Sequence, residues 1–249
     1  MSIDPNLFLP FLAIFAAATL QSATGVGFGI IAGPILLAFL DDASAIQISI
    51  VLNLLIAALL APSVWSAFDR RIMSGLLTGV AIGSISGFAL FIFLALVYLK
   101  FLAGLFVLAS LFMLLFGNRL MTRKQQEAPA KGEQIGVGIF GGVMGSSLAM
   151  PGPVPAAWMS MIGLDKDTIR ATILTMFLFA YSVALLLQVI MVGFSPDTMQ
   201  HCLVYAGPTV AGILVGRYLS TRISERVFRY SLVVVLVITS VALFSSIIG

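Results

Sequence analysis

Two stretches of this chain are apolar enough for a membrane interior yet are cut by glycine and proline where a spanning helix should run on. They are Thr24-Gly25-Val26-Gly27-Phe28-Gly29-Ile30-Ile31-Ala32-Gly33-Pro34 and Gly145-Ser146-Ser147-Leu148-Ala149-Met150-Pro151-Gly152-Pro153-Val154-Pro155. Backbone released from helical pairing inside a bilayer is costly unless protein or a water-filled cavity satisfies it. Paired interruptions in corresponding places of two halves are therefore a pointer to a transport site. The bilayer itself follows from composition: 60% of the residues are hydrophobic, 9% are charged and the mean hydropathy is +1.13. Soluble domains carry about 25% charged residues.

Six uninterrupted apolar runs, near 45–67, 72–94, 96–117, 168–192, 199–219 and 227–248, are each long enough to cross a hydrocarbon core of about 30 Å at about 1.5 Å per residue. The broken regions, 7–40 and 135–164, are too long for one simple span, and their arms are too short to cross alone. Basic residues decide how they run. If both broken regions cross, the 13 Lys and Arg divide almost evenly between the faces, against the positive-inside rule. If the second is a re-entrant hairpin, all but Lys100 fall on one face, which is then cytoplasmic, with Asp41, Asp42, Asp197 and His201 outside. Met1 to Asn6 carries Asp4 and no basic side chain, so the first apolar segment is expected to be retained rather than cleaved.

The halves also resemble each other. Pro34 to Asp42 followed by Ile46-Gln47 parallels Pro155 to Met161 followed by Asp165 and Ile169-Arg170, and Gly83, Gly87 and Phe101 match Gly212, Gly216 and Phe228. A broken hairpin plus three spans is an odd unit, so its second copy is inserted inverted. The expected fold is an all-α polytopic membrane protein of two inverted repeats, each a broken or re-entrant helical hairpin followed by three transmembrane helices. The first repeat is 1–117, a polar cytoplasmic linker is 118–134, and the second repeat is 135–249.

A helix that starts at mid-membrane points open amides and its positive dipole end into the cavity, a geometry suited to an anion. Two opposed tips would hold one small anion between them. Gly25, Gly27 and Gly29, with Gly152 in the second tip, let backbone approach a ligand, and Ser22, Thr24, Ser146 and Ser147 offer hydroxyls without fixed charge. Close helix packing is the competing use of such small residues. Gln21 and Asn53 can complete the coordination or bond one helix to another. Arg170, matched by Gln47 in the other half, either reaches the cavity or snorkels to the interface. Gly75, Gly79, Gly83 and Gly87 recur every four residues and read as a packing stripe. Trp65, Tyr98, Tyr218 and Tyr230 read as interface anchors.

One cysteine, Cys202, and one histidine, His201, rule out an internal disulfide and a Cys/His metal site. The acids fall at span ends or loops, so no buried proton relay is visible, and no catalytic constellation, phosphate loop or nucleic-acid surface is present. No enzyme, cofactor or nucleic-acid partner is expected. The expected partners are a small anionic substrate and the lipid bilayer, with a coupling ion, proton or sodium, and a homodimer left open.

The run Gln21-Ser22-Ala23-Thr24-Gly25-Val26-Gly27-Phe28-Gly29 leading to Pro34 resembles the opening motif of the TauE/SafE family of sulfite and organosulfonate exporters. Gly141-Gly142-Val143-Met144-Gly145, Met150 to Pro155 and Arg170-Ala171-Thr172 are similar to that family's repeated motif, and the likeness spans nearly the whole chain. Ser146-Ser147-Leu148-Ala149 departs from it, standing where many members are richer in glycine. The resemblance implies export of small sulfur-containing anions such as sulfite or sulfoacetate across a bacterial inner membrane. Ion-coupled uptake of a small carboxylate, or a non-transporting assembly or sensor role, are the alternatives.

Overall fold

A computed structural model describes residues 5–120 and 129–219, together with 233, 234, 237, 241, 244 and 245. The expected last span lies mostly outside these residues, as do Arg123, Lys124, Arg222, Arg226, Phe228, Arg229 and Tyr230. Everything regular among the described residues is helical. The helices are α1 (Pro5–Thr24), α2 (Phe28–Leu40), α3 (Ser44–Val64), α4 (Arg70–Phe93), α5 (Leu96–Leu120), α6 (Lys131–Leu148), α7 (Pro153–Met161), α8 (Lys166–Met191) and α9 (Pro196–Leu219). Among the described residues α3, α4, α8 and α9 are long and apolar enough to cross a membrane, whereas 9–24, 28–40 and 96–109 are shorter apolar segments. The long helices start one to three residues ahead of the expected runs, and in α4 and α8 an aspartate caps the start outside the apolar stretch. Asp69 accepts from Arg71 N at 2.7 Å, and Asp165 accepts from Thr168 N at 3.0 Å.

Both interruptions turn the chain back on itself. In the second, Gly145 lies against Pro151, Gly141 against Pro155, and Trp158 Nε1 donates to Glu133 Oε1 at 2.7 Å. α7 thus returns to the end where α6 began, as the charge argument requires. α8 starts at that same end, where Thr172 Oγ1 receives Asp69 N at 3.0 Å ahead of α4. In the first, Gly27 packs on Leu20, and α2 ends at Asp41, whose carboxylate meets Lys100 Nζ of α5 at 2.6 Å. The hairpins end differently in detail: Gly25 (φ +88°) and Gly27 (φ +143°) break α1 from α2, whereas Ala149 (φ +58°) takes the left-handed position after α6.

The glycine stripe packs, as its spacing predicts. A Cβ on Gly75 would strike the Gln134 side chain, and one on Gly79, Gly83 or Gly87 would strike the carbonyl of Ile135, Ile139 or Val143. In return Gly138 and Gly142 of α6 face the carbonyls of Leu76 and Val80. α1 meets α9 in the same manner, with Gly212 on Phe15 O and Gly216 on Thr19 O. Lipid tails are as apolar as leucine, so burial alone cannot drive such pairing; dispersion between closely approaching backbones supplies it.

Candidate functional site

The two tips do not face each other across a gap; they overlap and touch. A Cβ on Gly29, in the first turn of α2, would strike the Ala149 carbonyl, and one on Gly152 would sit 2.6 Å from Phe177 Cζ and 3.3 Å from Val26 Cγ1. Sequence pattern cannot supply this, since it fixes neither the depth of a hairpin nor what it meets there.

The first tip is held by side chains from three helices. Gln21 is fully buried; its Oε1 receives Phe28 N at 2.9 Å, and its Nε2 donates to Asn53 Oδ1 at 3.1 Å. Asn53 Nδ2 in turn donates to Ser49 O at 2.9 Å. Gln21 and Asn53 thus act together as a cap for α2 delivered from outside it. The helical ladder of α2 begins with Ile31 N on Gly27 O, leaving the amides of Gly29 and Ile30 ahead of it, as helix starts do.

Arg170 turns inward rather than snorkelling. Its Nη2 donates to Ser22 O at 2.7 Å, and its Cγ lies 2.8 Å from where a Cβ on Gly25 would stand. Its Nε is buried without a hydrogen-bond partner. The guanidinium and the amide end of α2 therefore converge on one tip, two positive features, with the Asp167 carboxylate and the Arg217 guanidinium the charged groups that act on Arg170. Gln47, at the matching position, instead donates to Gly193 O at 3.1 Å, at the opposite end of α8.

The expected hydroxyl donors are engaged with backbone. Ser22 Oγ donates to Ile213 O at 3.0 Å, and Ser146 Oγ is 2.9 Å from both Ser84 O and Gly142 O. Ser147 Oγ donates to Val143 O at 2.6 Å, and Thr24 Oγ1 closes the first tip through Leu20 O and Val26 O at 2.9 and 2.7 Å. A hydroxyl near an accessible backbone carbonyl satisfies itself there when no water competes. The second tip is also poorer in amides than its counterpart. α7 carries Pro153 and Pro155 in its first turn, where proline has no N–H, so Val154 offers the open amide.

Two residues that pattern reasoning passes over are prominent at the second tip. Tyr181 OH donates to Ala149 O at 3.0 Å, and Gln188 Nε2 donates to Ser146 O at 3.1 Å. Gln188 was legible in principle, as an amide within an apolar span, where polar groups need a partner. Tyr181 carries no such signal. Among the described residues, no group of three or more His, Cys, Asp and Glu is placed to hold a metal ion.

A family model described as sulfite exporter TauE/SafE matches residues 10–243. No curated protein and no solved structure matches the chain.

Proposed function

The chain belongs to the sulfite exporter TauE/SafE family, and from that premise we propose that it exports a small sulfur-containing anion, sulfite or an organosulfonate, across the inner membrane, binding it at the first tip. The observation that carries this reading is Arg170 folded onto that tip beside the open amides of α2. A guanidinium and a helix start each favour an anion, and together they meet a sulfonate with several N–H donors. In this reading Gln21 and Asn53 hold the cap, Ser22 holds Arg170, and Thr24 closes the turn. Gly25 seats the Arg170 stem and Gly27 seats Leu20, while Gly152 brings the second tip against Val26. An inside-negative potential favours exit of an anion by about 2.3 kcal/mol per charge per 100 mV.

The same reading includes two inverted repeats, 1–117 and 135–249, joined by a cytoplasmic segment. Matched contacts support it. Ser22 bonds to α9 at Ile213 as Ser146 bonds to α4 at Ser84, Gly212 and Gly216 grip α1 as Gly83 and Gly87 grip α6, and Gly25 and Ala149 both end their first arms with positive φ. Rocking one hairpin against the other would then expose the site to alternate sides.

Uptake of a small carboxylate is the second reading, because the guanidinium fork suits a carboxylate equally well. Flux in proteoliposomes under imposed voltage separates them. Sulfite or sulfoacetate leaving vesicles toward the positive side of an inside-negative potential, with acetate and lactate inert, supports export. Transport of carboxylates but of no sulfur anion would replace it.

A further inference from the structure

The end of α6 is lined by oxygen. Its helical ladder closes with Ala149 N on Gly145 O and Met150 N on Met144 O, so the carbonyls of Ser146, Ser147 and Leu148 lie beyond it. Gln188 reaches this end from α8, fully buried, and its Nε2 bond to Ser146 O fixes which way the amide points. Its Oε1 is left buried with no hydrogen-bond partner. Flipping the amide gives no relief, since it would set Oε1 against the Ser146 carbonyl. Ser84, on α4 and also buried, receives the Ser146 hydroxyl on its carbonyl, and its own Oγ is unpartnered.

We infer that the carbonyl end of α6, with Gln188 Oε1 and Ser84 Oγ, binds a small monovalent cation, sodium. The donors at this end, Tyr181 OH and Gln188 Nε2, are already spent on the carbonyls of Ala149 and Ser146, which leaves Gln188 Oε1 as an unpartnered acceptor. A helix C-terminus carries the negative end of the dipole, so an anion is repelled and a cation is attracted. The prolines at the start of α7 remove amides that would otherwise weaken that attraction. The ligands are neutral hard oxygens. They lack the carboxylates by which protein sites usually draw a divalent ion from its water, and they offer no nitrogen or sulfur for a transition metal. The sign of the two tips thus differs: donors and Arg170 at the first, acceptors at the second. Gln188 lies 18 residues beyond Arg170 on α8, roughly 27 Å at 1.5 Å per residue, which keeps the two positive charges apart. The tips meet where Gly29 packs on the Ala149 carbonyl, so occupancy of one bears on the placement of the other. This deepens the transport reading by naming a coupling ion, but its test needs no substrate.

The full-length protein, purified in detergent in choline chloride, is titrated with radioactive sodium. Saturable binding near one ion per chain, not competed by equal magnesium, is expected. Gln188→Leu should weaken it by roughly ten-fold or more, the loss of one charge-assisted contact. Gln188→Lys places an ammonium among the same oxygens; it should abolish sodium binding while the protein still elutes as one folded species. No saturable binding in the unaltered protein would overturn the inference, as would unchanged affinity in folded Gln188→Lys. Neither result bears on anion export, which the flux assay reads separately.

Discussion

Gly25→Ala asks whether the first tip works by holding Arg170 in place. Gly25 has φ +88°, and a Cβ built on it falls 2.8 Å from Arg170 Cγ and 3.2 Å from Arg170 Cα. The left-handed backbone costs an alanine about 1–2 kcal/mol. Carbon atoms rest at about 3.5–4.0 Å, so Arg170 must withdraw by roughly 0.7 Å or more. Because one of the close atoms is backbone, a new rotamer is not enough, and α8 itself has to shift. Overpacking of that kind costs about 1–3 kcal/mol more. Gly193→Ala is the internal control: its φ is +91°, and a Cβ there meets nothing within 4 Å. It should show the backbone cost alone. We expect Gly25→Ala to be about 1–3 kcal/mol less stable than Gly193→Ala in detergent unfolding. Anion affinity in the proteoliposome assay should fall by roughly 10-fold to 100-fold, the range for one lost bond to a charged group, as the guanidinium leaves Ser22. Equal anion affinity in the two variants would refute the positioning of Arg170 as the basis of the site.

The packing stripe should respond in stability rather than transport: Gly83→Ala drives a methyl into the Ile139 carbonyl and is expected to cost about 1–3 kcal/mol, whereas Gly136→Ala, with nothing within 4 Å, should stabilise α6 by up to about 1 kcal/mol. Both are read by unfolding in detergent, and a Gly83→Ala protein as stable as the parent would remove the packing account. Topology is checked in a Cys202→Ser background, where cysteines at Asp42 and Asp167 should label from opposite faces with an impermeant reagent; labelling from one face would break the hairpin arrangement. In acid the cap of α8 should weaken. Bonds from the Thr168 hydroxyl, then the Thr168 amide, hold the Asp165 carboxyl below its usual range, so its contribution is complete above the unfolded value and is lost as pH falls through the folded one. Asp165→Ala should therefore flatten the acid side of the stability profile.

Hydropathy and charge determined the helices among the described residues, their order and the return of the second hairpin, because each is a property of chain segments or of counts along them. The bilayer makes these signals strong: a span must be apolar and continuous, and the positive residues must be shared unevenly. The regular glycines could likewise be read as packing, since every fourth residue lies on one helix face. What met that face was decided only by tertiary structure. So was the overlap of the tips, which turns Gly29 from a ligand approach into a contact with Ala149. The fate of Ser22 and Ser146 belongs here too. A hydroxyl can serve a ligand or a carbonyl with the same residue type, and the position of Ile213 or Ser84 settles which, whereas Ser147 bonds back within α6 to the Val143 carbonyl four residues earlier. Arg170 could have turned to either side of its helix end, and the Ser22 carbonyl draws it inward. Gln188 shows the limit most plainly. Its place in an apolar span marks it as polar where polarity is costly, but that its nitrogen is satisfied and its oxygen is not depends on the Ser146 carbonyl, 42 residues away along the chain and 3.1 Å away in space.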